Sequence, residues 1–89
     1  MYLHLGSDCI VKTKEIIGIF DLENTSVARS TREYLAEAQK RGRVVTVSNE
    51  MPKSFCVCEQ DERIVVYISP ISAATLRKRT GYIDEISNL

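Results

Sequence analysis

The sequence predicts a small α+β domain in which mostly antiparallel strands and two short helices follow the order βββα-βββα. One observation behind this prediction is an unbroken run of β-branched and aromatic residues, Ile64 to Ile68, typical of a strand buried on both faces. Another is a set of shorter apolar runs separated by turn residues. A third is a pair of stretches with helical apolar spacing, each followed by Gly. A chain of 89 residues makes one domain, 1–89, because a second core would have too little surface to bury.

Three strands are predicted in the first part of the chain. Gly6-Ser7-Asp8 is a turn triplet that separates the first two strands, and Thr13-Lys14 forms a brief corner before the third. Gly18, within the third strand, marks a bulge or the close approach of another segment. The predicted strands are Tyr2 to Leu5, Cys9 to Lys12 and Glu15 to Phe20.

The first helix is predicted to start near Ser30, because Ser30 and Glu33 have the spacing of a capping box; Thr25 and Ser26 are alternative caps. The helix ends at Gly42, a residue type that readily adopts the left-handed conformation found after helices. Opposite charges four residues apart on the outer face are expected to pair. These pairs are Arg29 with Glu33 and Glu37 with Arg41, and the expected inner stripe is Thr31, Tyr34, Leu35 and Ala38.

The second part of the chain repeats this order of elements. Its predicted strands are Arg43 to Val47, Ser54 to Glu59 and the apolar run from Ile64 to Ile68. Alternation in the fifth strand places Phe55 and Val57 on one face and Cys56 and Cys58 on the other. Asp61-Glu62 is the tight turn that leads into the sixth strand.

A short helix is predicted after the sixth strand, which Ser69-Pro70 ends because Pro cannot donate to a ladder. Ser72 is the expected N-cap, and Ala73 and Leu76 lie one turn apart on the inner face. Gly81 is the expected stop. The apolar residues of the tail are expected to dock it on the domain: Tyr82, Ile83, Ile86 and Leu89.

The charge balance limits the possible partners. Twelve basic and twelve acidic residues give a formal net charge of zero. This argues against a partner captured by global charge alone and favours local patches if the partner is a polyanion. A near-neutral small domain also tends to self-associate. The N-terminus has no basic segment followed by a long apolar run, and no window approaches the roughly 18 to 20 apolar residues of a membrane span. We expect a cytoplasmic protein that does not bind membranes.

No catalytic, nucleotide-binding or metalloprotease motif occurs in the sequence. His4 is its one histidine and has no second histidine to pair with. Cys56 and Cys58 would point to one face of a strand, but they lack further ligands of metal-site spacing. With Cys9 they form an odd number of cysteines, which does not indicate a disulfide framework. We therefore expect buried structural thiols, no metal, no cofactor, no small-molecule substrate and no enzymatic activity.

Four motifs, in this order, span essentially the whole chain: M-Y-L-H-L-G-x-D, T-K-E-I-I-G-I-F-D, P-K-S-F and Y-I-S-P-I-S-A-A-T-L-R-K-R. With these motifs the sequence resembles the RemA/RemB family of small bacterial regulators of extracellular-matrix and biofilm genes, and it is most similar to the RemB branch. The resemblance implies a β-rich domain that assembles into a closed ring. It also implies a DNA-binding transcription regulator that contacts double-stranded promoter DNA through basic side chains on the outer rim.

The resemblance points to basic residues at the corner before the third strand and in the turn before the fifth. In that turn, Glu50 and Met51 stand where the family pattern has an arginine pair. The candidate DNA-binding residues are Lys12, Lys14, Lys53, Lys78 and Arg79. Arg77, Lys78 and Arg79 form the last turn of the second helix, where complementing the helix dipole is an alternative role.

The fifth strand separates its two end turns by about 20 Å. Lys53 lies at one end, and the acidic residues Glu59, Asp61 and Glu62 lie at the other. We expect Lys12 and Lys14 to join Lys53 at the end away from the acidic turn. The alternative function is an assembly or adaptor protein of the same fold that binds a protein partner and no DNA.

Overall fold

The computed structural model describes residues 1–23 and 28–80. Over these residues it confirms the α+β class and the order βββα-βββα. A 3-10 turn, Thr13–Glu15, replaces the predicted corner before the third strand. The elements are β1 (Tyr2–Gly6), β2 (Cys9–Lys12), β3 (Ile16–Asp21), α1 (Arg29–Lys40), β4 (Val44–Thr46), β5 (Ser54–Gln60), β6 (Arg63–Ser69) and α2 (Ala73–Thr80).

The strands form a two-stranded hairpin, β1-β2, and a four-stranded sheet in the order β3-β5-β6-β4. The pairs β3–β5 and β5–β6 are antiparallel, whereas β4 runs parallel to β6. Consecutive strands β3 and β4 thus lie at opposite edges, and α1 is the crossover between them. A parallel connection needs such a crossover, because a tight turn cannot join strands that run in the same direction.

The two faces of the sheet are covered by different elements. On one face, the hairpin and α2 bury a cluster built around Cys56 and Cys58. On the other face, α1 contributes Ala38 to a smaller cluster with Phe55 and Val57. The predicted alternation in β5 is therefore confirmed. The first cluster also contains Leu3, Leu5, Val11 and Leu76, and the second contains Val66.

Two fully buried serines join the hairpin and α2 to the sheet. Ser54 and Ser69 are directly opposite each other on β5 and β6. The Ser69 hydroxyl donates to the Leu5 carbonyl at 2.7 Å and accepts from the Ile71 N–H at 3.0 Å. The Ser54 hydroxyl donates to the Ile71 carbonyl at 2.7 Å. Buried hydroxyls are costly unless bonded, so these contacts fix the position of both segments.

The two helices differ in how well the sequence predicted their ends. The predicted start near Ser30 agrees within one residue with the observed start at Arg29, but the capping box is wrong, because the cap position is Ala28 and Ser30 lies inside the helix. The alternative caps, Thr25 and Ser26, lie outside the described residues. Glu33 bonds the Arg29 side chain instead, as the charge spacing predicted. The predicted end of α1 is confirmed, because Gly42 has a φ of 69° and donates to the Gln39 carbonyl at 3.0 Å. The next N–H, of Arg43, donates to the Ala38 carbonyl, which completes the Schellman motif.

The start of α2 is confirmed, because the Ser72 hydroxyl accepts from the Thr75 N–H at 3.2 Å. Its inner residues, Ala73 and Leu76, are buried as predicted. The predicted stop at Gly81 and the apolar tail, 82–89, lie outside the described residues.

Three thiols lie close together in the larger core cluster. Cys56 and Cys58 are fully buried, with their sulfurs 3.7 Å apart, and Cys9 is half-buried beside them. Their hydrogen bond, in which either sulfur can be the donor, raises the pKa of Cys56 and lowers the pKa of Cys58. Burial, and then the nearby Cys58, raise the pKa of Cys9 above its ordinary value.

Replacing Ser69 by Ala should lower the free energy of unfolding by about 1–3 kcal/mol, because it leaves the buried Leu5 carbonyl and Ile71 N–H without a partner. In a domain of this size, each 1 kcal/mol lowers the melting temperature by roughly 4–8 °C. Thermal unfolding followed by circular dichroism measures the change. Ser30→Ala, on the exposed surface of α1, is the matched control and should leave the melting temperature nearly unchanged. Equal melting temperatures for the Ser69→Ala and Ser30→Ala variants would contradict the role given to Ser69.

Alkylation of the native protein should modify Cys9 alone and slowly, since Cys56 and Cys58 have no exposed surface. Only the thiolate reacts, so the raised pKa of Cys9 means that the rate should still be rising with pH near 9, where an ordinary thiol begins to level off. Mass spectrometry after iodoacetamide treatment gives the site and the rate. The Cys9→Ala variant should be unreactive until it is unfolded. Modification of Cys56 or Cys58 in the folded protein would show that this part of the core opens.

Candidate nucleic-acid interface

Lys53 is held where β5 starts and β3 ends. Its backbone N–H donates to the Ser69 carbonyl, and its carbonyl accepts from the Leu22 N–H, both at 2.9 Å. The backbone is thus tied to both neighbouring segments of the sheet, while the side chain is exposed. This geometry places a cation directly beside the end of β3.

Lys12 and Lys14 lie at the other end of β3. They flank the start of the 3-10 turn that leads into this strand, and both side chains are exposed. The following residue, Glu15, accepts from the Gln60 side chain at 3.3 Å. Gln60 is the last residue of β5 and directly precedes the acidic turn. The turn that carries Lys14 therefore lies beside the end of β5.

The expectation that Lys12 and Lys14 join Lys53, away from the acidic turn, is wrong. Because β3 is antiparallel to β5, the start of one strand meets the end of the other: Ile16 lies opposite Cys58, and Asp21 lies opposite Ser54. The two lysine positions are separated by the length of the strand, about 20 Å. Asp61 and Glu62 share the end of the sheet that holds Lys12 and Lys14.

The basic last turn of α2 lies alongside the middle of β3. Arg77 is half-buried, and its guanidinium donates to the Ile19 carbonyl. Lys78 and Arg79 follow directly and are exposed. The contact from Arg77 holds the end of α2 against β3. Within residues 1–23 and 28–80, β3 pairs with β5 on one side and with no strand on the other.

The elements that carry the five candidate cations therefore lie along β3, with Lys12 and Lys14 before its start, the last turn of α2 beside its middle and Lys53 next to its end. From the start of β3 to its end, the order is Lys12 and Lys14, then Lys78 and Arg79, then Lys53. We call this set the basic edge. Exposed acidic residues accompany it, with Asp21 and Glu23 near Lys53 and the acidic turn near Lys14. The basic edge is thus a local line of cations interrupted by carboxylates, an arrangement compatible with the zero net charge of the chain.

Two arginines of the α1 region, outside the basic edge, are paired with glutamates. Arg29 bonds Glu33, and Arg41 bonds Glu37, each at 3.0 Å and on exposed parts of α1. These pairs confirm that much of the positive charge on this helix is satisfied within it. Arg43 and Lys40 lie at the end of α1 that leads into β4, the edge opposite β3.

A groove that the sequence did not indicate lies beside the basic edge. Tyr34, predicted on the inner stripe of α1, is 43% exposed, and Phe20 of β3 is 45% exposed. Phe20 stacks on Phe55 with ring centroids 5.0 Å apart. The sequence signal for this groove is the run of apolar residues along β3, because successive apolar residues place apolar side chains on both faces of an edge strand.

The described part of the chain shows no cluster of three or more His, Cys, Asp or Glu residues arranged to hold a metal ion. His4 is exposed on β1, opposite Ile10. Neither α1 nor α2, within 1–23 and 28–80, is long and apolar enough to cross a membrane.

Comparison with known proteins assigns this fold to a family. The family model RemA-like, described as Extracellular matrix regulatory protein A-like, matches residues 2–80. The chain is also similar to Extracellular matrix regulatory protein B of Bacillus subtilis (strain 168), with 38% identity over 88 residues that cover 99% of this chain and 100% of the relative. The two matches confirm the resemblance found in the sequence motifs, and the chain belongs to the RemA-like family of extracellular matrix regulatory proteins.

Proposed function

We propose that this protein is a cytoplasmic transcription regulator of extracellular-matrix (biofilm) genes that binds double-stranded promoter DNA through the basic edge and acts as a ring-shaped homo-oligomer. Membership of the RemA-like family and the name of the B. subtilis relative support the regulatory role. The observation that carries DNA binding is the order of exposed cations along β3. A line of cations can follow a phosphate backbone even when the whole chain carries no net charge.

The length of the basic edge suits a short stretch of duplex. About 20 Å corresponds to roughly six base pairs at ~3.4 Å per step. Lys14 and Lys53 then reach phosphates near the two ends of that stretch, and the last turn of α2 offers an exposed cation, Lys78 or Arg79, between them. Flexible lysines act as point charges that position the duplex without reading bases, so a sequence-tolerant mode is expected.

The affinity of one copy for DNA is expected to be low. A few exposed lysines release only a few counterions, and the neighbouring carboxylates of Asp21 and Glu23 oppose binding at one end. A ring repeats the edge around its rim, so that contact by one subunit raises the effective concentration of DNA at the next. DNA bending around the rim follows from this arrangement.

The alternative is an assembly or adaptor protein that binds another protein. The observation in its favour is the loop before β5, where Glu50 and a 79% exposed Met51 lie close to Lys53. An exposed methionine suits a protein contact, and a carboxylate repels phosphate. The two functions differ in whether any DNA affinity exists and in whether salt weakens it.

Lys14→Ala and Lys53→Ala should each weaken DNA binding and reduce its salt dependence. Each lost phosphate contact lowers the slope of log affinity against log salt by about 0.9, multiplied by the number of subunits that touch the duplex. A fluorescence-anisotropy titration of one labelled duplex at several salt concentrations gives the slope. The loss should be similar on promoter and unrelated DNA, because phosphate contacts carry no base information.

Lys40→Ala is the matched control for that titration. It removes the same side chain from the last turn of α1, at the side of the sheet where β4 lies, and should keep the wild-type slope. If Lys40→Ala flattens the slope as much as Lys14→Ala does, the DNA does not follow β3. If the wild-type protein binds no duplex at low salt, the adaptor function stands in place of the regulator.

Assembly makes a separate prediction. A ring requires a solution mass several times the 10.1 kDa of one chain. Light scattering coupled to gel filtration should return one discrete multiple of that mass over a wide concentration range, because closed symmetry stops growth. A constant mass near that of the single chain would rule out the ring, and any DNA binding would then be the work of a single copy.

A further inference from the structure

The turn that carries Lys12 and Lys14 is tied to the sheet by a chain of side-chain hydrogen bonds. The Tyr67 hydroxyl donates to the side-chain carbonyl of Gln60 at 2.9 Å, and the Gln60 amide donates to a carboxylate oxygen of Glu15 at 3.3 Å. The same oxygen accepts from the Lys12 N–H at 3.4 Å. This hydrogen-bond chain thus runs from β6, through the last residue of β5, to the backbone of the turn.

The chemistry of its members sets the direction of the hydrogen-bond chain. A carboxylate only accepts, so Gln60 turns its NH2 group toward Glu15 and its carbonyl toward Tyr67. Tyr67 then has to donate, and burial raises the pKa of its hydroxyl, which keeps the proton in place. All three side chains are half-buried, where an unpaired polar group is costly. Gln60 is therefore the link through which the sheet holds Glu15.

A second attachment holds the other side of the turn. The Met1 carbonyl accepts from the backbone N–H of Thr13 at 3.0 Å and from the Thr13 hydroxyl at 3.1 Å. Lys14 thus lies between two held residues, Thr13 and Glu15, while its own side chain is exposed. The contacts at Glu15 are longer than an ideal hydrogen bond, so the loss of one partner should loosen the turn and leave the fold intact.

The hydrogen-bond chain also has an electrostatic effect. Glu15 directly follows Lys14, and an unbound carboxylate at that position would compete with phosphate for the lysine. Donation from Gln60 directs the Glu15 carboxylate toward the sheet and offsets part of its charge. A turn that is ordered before DNA arrives also loses less conformational freedom on binding.

We propose that Gln60 is a positioning residue for DNA binding, which orders the lysine-bearing turn and keeps the Glu15 carboxylate away from the phosphates. The inference rests on the proposed function, because it takes Lys12 and Lys14 as DNA contacts. It adds to that function a residue that acts through the turn and lies outside the basic edge, directly before Asp61.

Gln60→Met tests this role, because it keeps the size and the neutral charge of the side chain and removes both hydrogen bonds. Duplex affinity should fall roughly 3- to 10-fold for each subunit in contact, the factor expected from ordering a side chain. The slope of log affinity against log salt should keep its wild-type value, in contrast to Lys14→Ala, since both lysines remain. The matched control, Gln39→Met on the exposed surface of α1, should bind as the wild type does.

An exchanged pair provides the rescue. Gln60→Glu places two carboxylates face to face and should weaken binding more than Gln60→Met does. Adding Glu15→Gln restores one carboxylate and one amide, now with the amide at position 15, so that the Tyr67 hydroxyl and the Lys12 N–H keep their acceptors. The double variant has the net charge of the wild type and should recover its affinity.

Hydrogen exchange of the free proteins, read on the peptide that contains residues 12–16, reports the order of the turn without DNA. Exchange should be faster in Gln60→Met and return to the wild-type rate in the double variant. If Gln60→Met is unfolded in a thermal melt, Tyr67→Phe takes its place, because it removes only the hydroxyl that orients Gln60 and should weaken binding in the same direction.

The outcomes separate this inference from the proposed function. Wild-type affinity in Gln60→Met, a flattened salt slope, unchanged exchange in the turn or a double variant that stays weak would each overturn the role of Gln60 while DNA binding itself stands. If the wild-type protein binds no duplex, the proposed function fails, and the role of Gln60 in DNA binding fails with it.

Discussion

The contact on which most of the architecture depends is the pair of buried hydroxyls on Ser54 and Ser69. These two residues lie opposite each other at one end of the central strands, and through the Leu5 carbonyl and the backbone of Ile71 they hold the hairpin and the start of α2. Because α2 starts from this fixed point, its last turn reaches the middle of β3. A stability contact deep in the domain thus determines where Lys78 and Arg79 lie on the surface.

The stability of the domain is unevenly distributed across the sheet. The face under the hairpin and α2 buries three leucines, Leu3, Leu5 and Leu76, each worth roughly 1.5–3 kcal/mol when fully buried. From α1 the opposite face obtains one buried alanine, Ala38, and the half-buried Leu35. A helix that contributes so little burial leaves apolar surface over β3 and β5. This uneven packing means that the second face contributes less to the stability of the domain and leaves apolar side chains exposed to solvent.

Much of the fold could be predicted from local sequence. The alternation in β5, the left-handed Gly42 and the Ser72 cap depend on residues only a few positions apart, and all three are confirmed. The capping box failed because Glu33 had a competing partner in Arg29, which the same sequence also indicates.

The candidate interface was less predictable because it depends on long-range pairing. Which end of the sheet receives Lys12 and Lys14 is decided by the antiparallel register of β3 on β5, about 40 residues later in the chain. Tyr34 has the spacing of an inward residue, but its burial depends on how far α1 extends over the sheet. Local patterns therefore indicated the candidate residue types, and tertiary contacts determined which of them lie together.

The contact between Arg77 and the Ile19 carbonyl also limits how chains of this kind can aggregate. Unlimited growth of a β-sheet from copy to copy needs two edges that are both open to a new strand. Here a guanidinium occupies a carbonyl at the middle of β3, so an incoming strand would have to displace a charge as well as align its own backbone. The chain has no net charge, so charge repulsion does not keep its copies apart. The blocked edge opposes the growth of fibres by strand addition. Contacts between copies through side-chain surfaces are not hindered by it.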